Sequence, residues 1–162
     1  MNAPFAPHDD PARFRTDLRR RFVDVARRLE SGHPLDAADV HIAVVLVDHP
    51  DARRRLAGIA GEETVLDEPA LEGTDSPFFL HLALHVALRE QAAADLPPGM
   101  RRLHAAYVAW AGGDRVRAEH RMLPILEEAL RRSLEQPGGD DPRAYLEALE
   151  SGLERLEGER RR

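Results

Sequence analysis

The chain has no cysteine and no lysine. Without cysteine, disulfides, thiolate metal sites and cysteine nucleophiles are excluded, which agrees with a reducing compartment. Without lysine, all 23 basic side chains are arginine, a usage that reads as GC-rich codon bias. No apolar run approaches the roughly 20 residues of a membrane span. Met1 to Pro11 lacks a basic segment leading into an apolar one, so it does not read as a secretory signal, and a cytoplasmic protein is expected. There is no glycine-rich phosphate loop, no His-Glu-x-x-His and no Gly-x-Ser-x-Gly. The serines are only Ser31, Ser76, Ser133 and Ser151, and Ser76 is better placed as a helix cap than as a nucleophile. Basic groups such as Arg19–Arg21 and Arg53–Arg55 are dispersed in a chain of net charge −6, which argues against a nucleic-acid surface.

What is present is 162 residues, 43% hydrophobic and 32% charged, enough for one domain with a core. Residues 1–10 read as a leader. Asp10-Pro11 then opens a long amphipathic helix with Phe14, Leu18, Phe22, Val25 and Leu29 on one stripe, ended by Ser31 to Pro34. Residues 40–47 are β-branched and would suit a buried strand. No second strand exists to pair with them, so a helix is expected. His49-Pro50 closes that segment and leads into a short helix over 51–58. Residues 61–75 are acidic and irregular. Further helices are expected from about Pro77 to Ala94, from Met100 to Ala111, from Asp114 to about Gln136, and from Asp141 onward, with Gly112-Gly113 and Pro137 to Gly139 as stops. The expectation is an all-α single-domain bundle of about six helices over residues 11–157, with a charged tail at 158–162. Residues 77–94 would be its central buried helix, because that stretch is apolar nearly all the way round.

The one polar stripe on the central helix is His81, His85 and Arg89, four residues apart and therefore on one face. Two histidines one turn apart either ligate a metal or hydrogen-bond as buried neutral groups. A third ligand must come from another helix. His120 suits best, sharing a face with Leu123 and Glu127 and expected to point inward. Glu119 beside it points roughly 100° away. Pro124, one turn beyond His120, removes a backbone donor and should kink that helix. His104 is a further inward candidate, whereas His41 and His49 read as structural, and His8 and His33 lie in loop-like sequence.

The run Ser76-Pro77-Phe78-Phe79-Leu80-His81, with His85 and then Leu88-Arg89-Glu90-Gln91, resembles the signature of the domain-of-unknown-function 1841 family of small bacterial proteins. That signature is Asn-Pro-Phe-Leu-His, three residues, His, then Ile-Arg-Glu-Gln. Gly113-Asp114, Ala118-Glu119-His120, Met122 and Glu128-Ala129-Leu130 resemble a second family stretch, and the likeness spans most of residues 12–157. Family members often carry a histidine one turn before the position of His120 and a glutamate one turn after it. Here those positions are Val116 and Pro124. Membership implies no activity, so the biological role and any catalysis stay open. The expected site is inter-helical. His81, His85 and His120 are metal ligands for a divalent ion such as zinc or iron. Glu119 or Glu128 is an outer ligand or supporting base, and Arg89 an orienting group. The alternative is a helical interaction module without metal, contacting a protein partner through the arginine-rich first helix or the 61–75 segment, its histidines being core residues.

Overall fold

The structure is a computed structural model that describes residues 11–59, 78–136 and 141–162. The leader, the 61–75 stretch, the Ser76-Pro77 cap and the Pro137 to Gly139 stop fall outside the described residues, as do His8 and the side chain of Phe14. The described chain is all-α: α1 (Pro11–Ser31), α2 (Val40–Asp48), α3 (Pro50–Ala57), α4 (Phe78–Ala94), α5 (Met100–Trp110), α6 (Arg115–Glu135) and α7 (Pro142–Arg160), with one 3-10 turn at Ala37–Asp39. Contacts group it into two compact units, Met1–Leu82 and Ala83–Arg162, and the division falls inside α4.

In the first unit α1 packs on both α2 and α3. The ambiguous stretch is helical. Ile42, Ala43, Val45 and Leu46 are buried while Val40 and Val47 are about half exposed, a 3.6-residue period and not the alternation of a strand. Phe22 on α1 meets Phe79 edge-on with ring centroids 6.3 Å apart. The buried carboxylate of Asp39 accepts from Arg21 Nε at 2.5 Å, tying the 3-10 turn to α1.

In the second unit α6 packs against both α5 and α7, and it is the element around which that unit is arranged. Leu84, Leu88, Met100, Leu103, Tyr107, Met122, Leu126 and Leu149 form a continuous core. Helix α4 is buried as its composition predicts, with Leu82, Val86 and Leu88 at 0%, 1% and 0% exposure. Asp114 caps α6 by accepting from the Arg117 backbone N–H at 2.9 Å, and Asp141 does the same for α7 through Ala144. Gly112 and Gly113, at φ 74° and 92°, supply the left-handed backbone that ends α5 and turns the chain into α6. Helix α6 continues through Pro124 to Glu135.

Candidate functional site

The period of α4 stacks His81, His85 and Arg89 on one face, and all three are buried, at 6%, 0% and 6% exposure. Within the second unit His85 and Arg89 meet Glu119 of α6, which has no exposure at all. The Glu119 carboxylate accepts four hydrogen bonds. Oε1 receives Arg89 Nε at 2.9 Å and His104 Nε2 at 3.1 Å; Oε2 receives His85 Nδ1 at 2.6 Å and Arg89 Nη2 at 2.8 Å. The Arg89 contact is the bidentate fork that guanidinium and carboxylate planes favour. With two donors on each oxygen, the carboxylate's acceptor capacity is filled.

Burial alone would raise the Glu119 pKa. The hydrogen bonds from His104, His85 and Arg89 outweigh it and hold the carboxyl well below the usual carboxylate range. The ionised carboxylate can only accept, so Nδ1 of His85 carries a proton, and in the neutral imidazole the lone pair is on Nε2.

From the sequence, His120 is the expected inward residue of α6 and Glu119 a side contributor. The structure reverses their places. Glu119 shares the face of Met122, Leu123 and Leu126 and is enclosed, whereas His120 stands at the exposed rim. The His120 ring still packs on His85, with centroids 5.1 Å apart and planes at 62°. His104 joins through Glu119. Glu128 is elsewhere, on the outer side of α6 with Arg131 and Arg132.

In the first unit, His49 meets His81 edge-on at 5.9 Å between centroids. Its Nδ1 lies 2.8 Å from the carbonyl of Val45, which can only accept, so Nδ1 carries a proton and the neutral ring has its lone pair on Nε2. The sequence reads His49 as structural, and the structure sets its ring against that of His81. The available signal was its position: four residues after Val45 and three after Leu46, it continues the buried face of α2.

The model of the family described as Domain of unknown function (DUF1841) matches residues 14–151. No curated protein and no solved structure matches the chain. With the match covering most of its length, the chain belongs to the domain-of-unknown-function 1841 family.

Proposed function

We propose that the protein binds one divalent transition-metal ion through His49, His81, His85 and His120. The observation that carries this reading is a run of ring contacts: His49 meets His81 in the first unit, His85 meets His120 in the second, and His81 and His85 stand one turn apart on α4. Two of them also have the outer partners that metal-binding histidines use. His85 Nδ1 is held by the Glu119 carboxylate and His49 Nδ1 by a backbone carbonyl, and each bond fixes the tautomer that presents Nε2. Tetrahedral bonds of about 2.0–2.1 Å place ligand nitrogens about 3.3 Å apart, so rotamer adjustment of the exposed His120 would draw the set together. An all-imidazole set suits zinc, iron, copper or nickel over magnesium or calcium, which prefer oxygen.

In this reading Glu119 is a positioning residue and not a ligand. Its oxygens already accept four hydrogen bonds, and Arg89 balances its charge. Glu128 takes no part.

Elemental analysis of the full chain purified without a histidine tag tests the proposal. About one equivalent of metal per chain is expected. His85→Ala and His49→Ala should each release it and His41→Ala should not. Metal below about 0.1 equivalent, unchanged by His85→Ala, would leave a helical module whose histidines are core hydrogen-bonding groups.

A further inference from the structure

The first turns of α6 carry Arg117, His120 and Arg121 on one face, at spacings of three and four. The Gly112-Gly113 turn brings that face back beside Trp110 at the end of α5. The guanidinium carbons of Arg117 and Arg121 lie 5.3 Å and 6.0 Å from the centroid of that one ring. Arg21, Arg53, Arg89, Arg102 and Arg131 are held by carboxylates, and Arg19 and Arg55 each lie over one phenylalanine ring. Arg117 and Arg121 differ in sharing a single aromatic face, which restrains both cations without using their hydrogen-bond donors. Both side chains are on an exposed part of α6 and line two adjoining hollows. One, of about 490 Å³, runs along Trp110 to Glu159 and Arg160. The other, of about 470 Å³, contains His120, with Asp114 and Val116.

Asp114 is turned to the helix cap, where it accepts from the Arg117 backbone N–H. Arg160 donates to the Trp110 carbonyl at 3.1 Å. The hollow that holds His120, the most exposed of the four histidines, is therefore also lined by the two arginines stacked on Trp110.

We propose that Arg117 and Arg121 bind a phosphate-class oxyanion at the mouth lined by His120. Two guanidinium forks one helical turn apart match the charge and the acceptor geometry of a dianionic phosphate. That this oxyanion is a ligand of the histidine site rests on the metal reading above; the arginine pair itself does not.

Trp110 is the single tryptophan of the chain, so its emission reports on the two guanidinium groups stacked against it. Titrating the untagged full chain with inorganic phosphate should give a saturable emission change. The apparent affinity should weaken as ionic strength passes about 0.1 M, where the Debye length is ~10 Å. The double substitution Arg117→Gln/Arg121→Gln should weaken binding roughly tenfold or more, measured by equilibrium dialysis because the substitution itself alters emission. Arg117→Lys/Arg121→Lys, which keeps charge but loses the fork, should fall between. Neither double variant removes a buried group or an ion pair, so both should keep the helical circular dichroism and melting profile of the parent. No saturable response, or glutamine-variant affinity within about twofold of the parent, overturns the subsite. Phosphate binding that persists in a chain found to hold no metal supports the subsite and removes the metal reading alone. Metal content that is normal in a chain indifferent to phosphate does the opposite.

Discussion

Glu119 is the residue on which the buried polar chemistry turns. A carboxylate enclosed by protein costs several kcal/mol in lost hydration, and it is tolerated because Arg89, His85 and His104 fill its acceptor positions. Removing it takes from the buried Arg89 cation the carboxylate that accepts its bidentate pair. Glu119→Ala is expected to lower unfolding free energy by about 3–5 kcal/mol, read by urea denaturation. Glu128→Ala, at an exposed, solvent-screened cluster with Arg131 and Arg132, should change it far less. A Glu119 variant no less stable than the Glu128 variant would contradict this account of the network.

The two tyrosines of the chain, Tyr107 and Tyr145, are both buried. Burial pushes the Tyr107 phenol up to about 12 despite the opposing charge of Arg155, and it raises Tyr145 as well. A phenol whose pKa is higher folded than unfolded contributes stability that is complete below the unfolded value of about 10 and is lost as pH climbs through the folded one. Tyrosinate absorbance in the native protein should therefore begin to rise only above the usual tyrosine range. Stability should fall between about pH 10 and 12, more gently in Tyr107→Phe. Native titration near pH 10 would show that the phenols are hydrated.

At the scale of elements, α7 is held to α5 through a close approach that only glycine permits. A Cβ at Gly152 would lie 2.6 Å from the Tyr107 hydroxyl and 3.0 Å from Ile125 Cδ1. That hydroxyl is already committed, donating to the Leu149 carbonyl at 2.8 Å. Gly152→Ala gains helix propensity but must displace Tyr107, and a net loss of about 1–3 kcal/mol is expected on thermal melting. Gly158, with open space around its Cβ position, is the control: Gly158→Ala should be neutral or slightly stabilising. The same scale explains how much of the fold was legible beforehand. Caps, prolines, glycine stops and the apolar period are local signals, so α1, α3, α5, α6 and α7 could be read from them directly. The β-branched 40–47 stretch was harder, since intrinsic preference and context disagree there. The lack of a pairing strand decided it correctly.

At the scale of the whole molecule, the proposed metal couples binding to stability. An ion that binds only the folded chain should raise unfolding free energy by about 2.7 kcal/mol at a hundredfold excess over its dissociation constant. Added zinc should therefore shift the melting temperature upward, and His85→Ala should abolish the shift. An equal shift in His85→Ala would move the binding elsewhere.

The sequence by itself determined the all-α class and the His81, His85, Arg89 stripe, because both follow from a repeat of 3.6 residues acting along one helix. Which groups that stripe would meet was decided only by tertiary structure. Adjacent positions on α6, Glu119 and His120, differ by about 100° around the helix, and a small rotation of α6 settles which is enclosed. The structure encloses Glu119 and leaves His120 at the rim. It also places His49, sited just past the end of a different helix, beside His81. Partners distant in sequence depend on how whole helices pack, a sum over many apolar contacts that no local pattern contains.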